Sequence, residues 1–192
     1  VVHRDGSIDE IRQCWRTPPD LAVTLIERHG ITLDVAAHRG NAIVPTHLGP
    51  GSPIATDATT VAWGYHAPRC TDGRTGAAFC NPPFRRALAF VQAGIAAVTH
   101  HGRPIRAVVF LLPVNLDTRW ARLLWEHGAT IYAIHGRLRF ASPVDEDGAP
   151  IEVDTHNGAA FPMMIAVLDR ASRDPRRLHL IDTAGRMLEP RP

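Results

Sequence analysis

Phe79-Cys80-Asn81-Pro82-Pro83-Phe84 is the stretch on which the reading of this chain turns. It follows a run of small residues, Thr75-Gly76-Ala77-Ala78, and precedes a segment with helical spacing. That context places it at the carboxyl end of a short buried strand, where open α/β sheets bind ligands. The Asn81 carboxamide offers one acceptor oxygen and the Pro82 carbonyl a second, and neither proline carries an N–H to compete for them. Two stiffly held acceptors suit an amino group with two protons to donate, and Phe84 offers a flat face to a planar ring. These are the parts needed to methylate an exocyclic amine. Such an amine is a weak nucleophile because its lone pair is delocalised into the ring. Gripping both N–H bonds returns electron density to the nitrogen, so positioning and electrostatics take the place of a strong base. The competing reading is that Pro82-Pro83 ends a strand and Asn81 caps the next helix.

Outward from this stretch the pattern alternates between strand and helix. Upstream, Trp15-Arg16-Thr17-Pro18-Pro19 opens a helix, with Thr17 as its cap and Pro18 as its first residue. The helix runs through Leu21, Leu25 and Ile26 and stops at Gly30. Ile31–Val35 reads as a strand with Asp34 near its end, followed by Ala36-Ala37. A carboxylate there can hold a cofactor's amine or hydroxyls, and small neighbours admit a ligand closely; a turn-capping Asp fits the spacing as well. Residues 45–76 are rich in Pro, Gly, Thr and Ala and read as loops, in which Asp57 and Trp63 stand out. Asp57 can grip a ribose or an adenine amino group, or simply close a turn. Gly64–Gly76 reads as an exposed insertion whose Arg69 and Arg74 can meet phosphate.

Downstream, Arg85-Arg86 precede a helix through Leu88, Val91, Ile95 and Val98. Ile105–Leu112 is a continuous apolar run that suits a central parallel strand. Asn115, Asp117 and Thr118 lead into a helix that buries Trp120, Leu123 and Leu124 and stops at Gly128. Ala129–Ile134 and Phe161–Leu168 read as further strands, separated by an acidic loop over 142–160. The late strand, arriving after a long loop, is a candidate for antiparallel pairing. The domain reading is an arm over 1–14, a catalytic domain over 15–168, and an arginine-rich tail over 169–192 with a hairpin around Thr183-Ala184-Gly185.

Composition bounds the function. The chain has 192 residues, 45% of them hydrophobic, which suits one domain with a full core. No apolar run reaches membrane-spanning length, so no membrane partner is expected. Net charge is +2, from 21 basic and 19 acidic residues, and every basic residue is arginine. Arginine suits phosphate and guanine contacts, but a codon bias yields the same skew, so composition alone names no partner. Cys14, Cys70 and Cys80 are odd in number and widely spaced, which argues against a disulfide framework and for a reducing interior. A metal site from His66, Cys70 and Cys80 matches no paired-ligand spacing, and none is expected. There is no G-x-G-x-x-G for a dinucleotide and no G-x-x-x-x-G-K-[ST] for a nucleoside triphosphate.

Taken in order, Trp15-Arg16-Thr17-Pro18, Leu33-Asp34-Val35-Ala36-Ala37 with Asn41-Ala42, Asp57 with Trp63, and Asn81-Pro82-Pro83-Phe84 form one series. It continues with Leu111-Leu112-Pro113, Asp117-Thr118-Arg119-Trp120 and Gly136-Arg137-Leu138-Arg139-Phe140. In that order the chain resembles the phage-type DNA N6-adenine methyltransferase family, related to the Dam-like methylases. The resemblance implies a class I, Rossmann-like methyltransferase fold: an α/β protein with a mostly parallel sheet, helices on both faces and a late antiparallel strand. It implies S-adenosylmethionine as cofactor, DNA as partner, and a bacterial or phage-infected cytoplasm, with a role in restriction-modification within the family's range. It implies that Asn81, Pro82, Pro83 and Phe84 hold a flipped adenine, and that Trp15, Thr17, Pro18, Asp34, Ala36, Asp57 and Asn81 line the cofactor.

Two departures stand out. The Gly64–Gly76 insertion is expected to lengthen the approach to the catalytic loop, with Asp72 competing with Asp57. There is also no room for a large recognition domain, so sequence choice is expected from loops 64–76 and 142–160. Cytosine N4, RNA adenine and protein glutamine share the same amine logic and stay open from the tetrapeptide, as does a binding module without turnover. Cytosine C5 chemistry is disfavoured, because it needs a nucleophilic Cys and Cys80 precedes Asn81 instead.

Overall fold

In a computed structural model of the chain, residues 15–145, 147–151, 159, 161–171 and 178–188 are described. The expected arm over 1–14 with Cys14, much of the acidic loop, and Arg173, Arg176, Arg177 and Arg191 lie outside them.

The first helix, α1, spans Pro19–His29, with Asp20 in its first turn and Arg28 and His29 in its last, as the helix dipole favours. It ends on Gly30 at φ 59°, a left-handed turn that glycine adopts without strain. The sequence places the cap at Thr17 and the first helical residue at Pro18; the structure moves both one residue on. Pro18 is extended (φ −54°, ψ 133°) because Pro19 disfavours a helical predecessor, and Pro19 takes the first helical position.

Six strands form one sheet. They are β1 (Ile31–Asp34), β2 (Ala77–Cys80), β3 (Ala107–Pro113), β4 (Thr130–Ile134), β5 (Met163–Asp169) and β6 (Leu178–Ile181). Their order across the sheet is β1-β2-β3-β5-β4-β6. β1, β2 and β3 pair in parallel, and β4 pairs in parallel with β6. β5 alone runs the other way, inserted between β3 and β4, in register from Ala107 opposite Asp169 to Pro113 opposite Met163. The late antiparallel strand is therefore present, and β3 is central but mixed: parallel on its β2 side and antiparallel on its β5 side. Residues 178–188 double back after β6 through a turn at Asp182–Arg186, with Leu188 N–H donating to Leu180 C=O at 2.9 Å.

Period-two alternation sends successive side chains to opposite faces. On one face Phe79, Val109, Leu111, Ile165 and Val167 pack against Leu21 and Leu25 of α1. On the other, Cys80, Val108, Phe110, Met164 and Ala166 pack against α2 (Ala87–Thr99) and α3 (Arg119–Glu126). With both faces covered, β3 has no polar position, which is why it reads as an unbroken apolar run. Gly94 in the middle of α2 marks the closest approach: a Cβ there would lie 2.5 Å from Phe110 Cζ. The buried face of α2 is accordingly Ala87, Phe90, Val91, Gly94 and Ala97, with Leu88, Ile95 and Val98 packed at its flanks. Thr118 caps α3 by accepting from Ala121 N–H at 3.3 Å, and Trp120 and Leu124 are buried as the spacing requires. No helix among the described residues is long and apolar enough to cross a membrane.

Candidate active site

β1 to β4 all point their carboxyl ends at one rim of the sheet, and β5 starts there. The rim collects the segment before α1, the loop after Asp34, the Asn81 segment, Val114–Thr118, His135–Ala141 and Phe161-Pro162. Arg16 and Ala141 exchange backbone hydrogen bonds (3.2 and 2.9 Å), and Arg16 Nε donates to Ser142 C=O at 2.9 Å. This ties the entry of α1 to the segment after β4. Thr17 is buried, with Trp15 and Pro18 half-buried around it.

The Asn81 segment leaves β2 fully buried through Cys80 and Pro82. Pro83 C=O accepts from Arg86 N–H at 2.7 Å, closing a single 3-10 turn over Phe84–Arg86 that leads into α2. Neither the turn nor α2 is capped by a side chain. Asn81 is therefore not a helix cap. Its carboxamide and the Pro82 carbonyl have no hydrogen-bond partner among the described residues, while the backbone on either side is bonded. Phe84 is 41% exposed and its ring meets that of Phe161 edge to face, with centroids 6.4 Å apart.

Phe161 is a residue that the sequence conceals. It reads there as the start of an apolar strand, but β5 begins at Met163 and leaves Phe161 49% exposed on the rim. Pro162 directly after it is the available signal, since a proline is confined to the start or edge of a strand.

Asp34 ends β1 almost fully buried, 2% exposed. Its two carboxylate oxygens accept from Ala36 N–H (3.3 Å) and Ile43 N–H (3.1 Å), so the carboxylate gathers the whole loop between them. Burial pushes its pKa up to about 6 despite these bonds, which pull the other way. Asn41 Oδ1 accepts from His38 N–H at 2.8 Å, holding the inside of the same loop. Thr46–Leu48 lies alongside, bridged in parallel to Asp34 at His47. A cavity of about 440 Å³ opens on this loop, lined by Arg39, Ala42, Ile43, Val44, Pro45 and His47. His47 Nε2 is buried without a partner. Asn81 and Phe84 do not line this cavity.

Asp57 caps a 3-10 turn at Ala58–Thr60, accepting from Thr59 N–H (2.9 Å) and Thr59 Oγ1 (2.7 Å). Its other oxygen accepts from Arg86 at 2.8 Å, and Arg86 lies over the Phe90 ring. The Thr59 bonds, then Arg86, hold its carboxyl below the usual range. Trp63 is fully buried and donates to Ala58 C=O at 2.7 Å. Asp57 thus stands one ion pair away from the turn that presents Phe84.

The insertion is the largest correction to the sequence reading. Gly64–Gly76 packs at the amino ends of the parallel strands, not at the rim that carries Asn81. Thr32 Oγ1 donates to Pro68 C=O at 2.8 Å, Cys70 Sγ to Gly30 C=O at 3.6 Å, and Arg106 N–H to Gly76 C=O at 3.3 Å. Gly64 lies flat against the Arg103 backbone. β2, about 13 Å long at 3.3 Å per residue, separates this segment from Asn81. Arg69 donates to Gly73 C=O and Arg74 pairs with Asp72, so Asp72 is no rival to Asp57 at the rim. Cys80, expected to be no nucleophile, is fully buried in β2, and burial together with the neighbouring Asp34 carboxylate drives its thiol pKa well up.

The decisive comparison is with protein families. The family described as DNA N-6-adenine-methyltransferase (Dam) matches the chain over residues 6–187. The chain belongs to the Dam family. No curated protein matches it. As a Dam family member it is an enzyme that methylates adenine N6 in DNA, and the bounds of the match enclose the Asn81 segment and the whole sheet. The mixed α/β sheet with helices on both faces is consistent with a methyltransferase.

Proposed function

We propose that this Dam family protein takes its methyl group from S-adenosylmethionine and delivers it to an adenine turned out of the DNA stack into the space above Asn81 and Phe84. The observation that carries this reading is the pair of unengaged acceptors, Asn81 Oδ1 and Pro82 C=O, just before a turn closed by the Arg86 N–H to Pro83 C=O bond. Asn81 is partly exposed, so these acceptors are open to the donors of a ligand. The two oxygens accept the two N–H bonds of the adenine amino group. Its lone pair then points away from the ring plane, and the proton leaves once nitrogen carries positive charge. Phe84 and Phe161 form two walls inclined at 68°, one to stack on the base and one to meet its edge.

The residues present fit the cofactor. The cavity on the loop after Asp34 is of small-molecule size, Ala42 leaves room in its lining, and the His47 ring beside it carries a nitrogen without a partner. Bound there, S-adenosylmethionine supplies an electrophilic methyl on a sulfonium sulfur. Asp34 shapes that loop by holding Ala36 and Ile43. Trp15, Thr17 and Pro18 border the rim beside it, and Asp57 joins the 57–60 turn to the turn carrying Phe84. We read the sheet, with its single reversed strand between β1-β2-β3 and the β4-β6 pair, as a class I methyltransferase arrangement. Sequence choice falls to the rim segments around 135–151. The enzyme is expected to act in a bacterial or phage-infected cytoplasm.

Incubating wild type and Asn81→Ala with methyl-labelled cofactor and separate DNA, RNA and protein pools tests the reading. Label in DNA as N6-methyladenine, lost in the variant, supports it. Label confined to RNA or protein, or a fully active variant, removes it.

A further inference from the structure

We propose that Leu116 is a wedge that enters duplex DNA and fills the gap left by the extruded adenine. The inference rests on the reading above, that the base leaves the helix to reach Asn81. Extrusion breaks stacking on both sides of the base, and proteins that distort DNA offset this by inserting apolar side chains between base steps. A side chain with that role has to stand on the rim beside the pocket that receives the base.

Leu116 meets that requirement. It is 69% exposed, more than either Phe84 or Phe161. Other strongly exposed apolar residues lie elsewhere: Tyr65 and Leu178 at the amino ends of the strands, Val23 and Trp125 on α1 and α3. Leu116 follows β3, which lies between β2, the strand that ends at Asn81, and β5, the strand that Phe161 precedes. Its turn is stiff. Val114 N–H donates to Pro162 C=O at 2.8 Å, directly beside Phe161, and Asn115 N–H donates to Pro113 C=O at 3.0 Å. On the far side Thr118 Oγ1 donates to Asn115 C=O at 2.8 Å while Thr118 caps α3. An apolar side chain thus projects from a turn tied down at both ends, and little conformational freedom is lost when it inserts.

The test compares Leu116→Ser with wild type on three DNAs of one sequence containing a methylated site mapped beforehand. These are the paired duplex, the duplex with an abasic site opposite the target adenine, and the single strand. An unpaired adenine leaves the stack readily, so the wedge matters less there. The variant is expected to lose about tenfold or more in kcat/KM on the paired duplex, and to stay within about threefold of wild type on the other two. Leu116→Phe is expected to retain duplex activity. An equal loss on all three DNAs, or no loss on the paired duplex, overturns the proposal. A wild type that transfers no methyl to any of the DNAs overturns instead the function on which it rests. Equal thermal midpoints for the two proteins confirm that folding is not what changed.

Discussion

The rings of Phe84 and Phe161, 77 positions apart in the chain, meet at 68° with centroids 6.4 Å apart. Phe84 belongs to the turn after β2 and Phe161 to the approach to β5, so β3 lies between their strands. The pair exists only because the antiparallel strand is inserted where it is. A purely parallel continuation would start its next strand at the opposite end and leave Phe84 without this neighbour.

Removing either ring is expected to weaken base capture without unfolding the protein, because both are about half exposed. Phe161→Ala should lose about ten- to a hundredfold in kcat/KM, the range of one aromatic–base contact, and Phe161→Tyr should retain most of the activity. Steady-state kinetics with labelled cofactor, alongside thermal denaturation, measures both. A Phe161→Ala enzyme with wild-type kinetics would remove that wall from the pocket.

Asn81→Ala removes one of two acceptors aimed at the amino group. Transfer should fall by at least about a hundredfold, as when one preorganised hydrogen-bonding group is lost from an active site. Cofactor affinity should change little, and isothermal titration of the variant with S-adenosylmethionine reads it. A large loss of cofactor affinity with turnover preserved would assign Asn81 to the cofactor.

Asp34 links stability to pH. Its folded pKa, about 6, lies above the unfolded value near 3.8, so the folded state holds its proton more tightly. The resulting stabilisation is complete below about pH 4 and is lost as pH rises through 6. Relative to Asp34→Asn, wild type should therefore lose about 3 kcal/mol of stability across that window. Urea denaturation of both proteins at steps between pH 4 and 7 gives the difference directly. A gap that is flat, or that widens in favour of wild type, would contradict a buried carboxyl.

The Asp57–Arg86 pair is 36% and 47% exposed, so it should add no more than about 1 kcal/mol to stability. Its effect is expected on geometry. Arg86→Gln should lower kcat by about three- to tenfold, since small misplacements of a catalytic turn are amplified in rate. A double-mutant cycle with Asp57→Asn should show the two losses are not additive. Additive losses would mean the residues act separately.

Arg69 and Arg74 sit at the far end of the strands from Asn81. Replacing both with Ala should leave DNA affinity within about twofold and the salt dependence of binding unchanged. Fluorescence titration at several salt concentrations checks this. A shallower salt slope would bring DNA to that end of the sheet.

The linear pattern determined the elements and the chemistry. Gly30, the unbroken β3 run, Thr118 and Gly128 mark boundaries because backbone rules act over a few residues. Asn81-Pro82-Pro83-Phe84 declares its acceptors because two prolines leave few conformations. What local rules cannot carry is which segments share an end of the sheet. Gly64–Gly76 reads as an exposed insertion that lengthens the approach to the catalytic loop, yet glycines at 64 and 76 let it lie flat against Arg103 and Thr32 at the other end. Asp57 and Arg86, 29 residues apart, meet through an ion pair that no spacing announces. Phe161 and Leu116 acquire meaning from the order of strands across the sheet. That order is set by which apolar faces bury one another, a property of the whole chain that no single window of sequence contains.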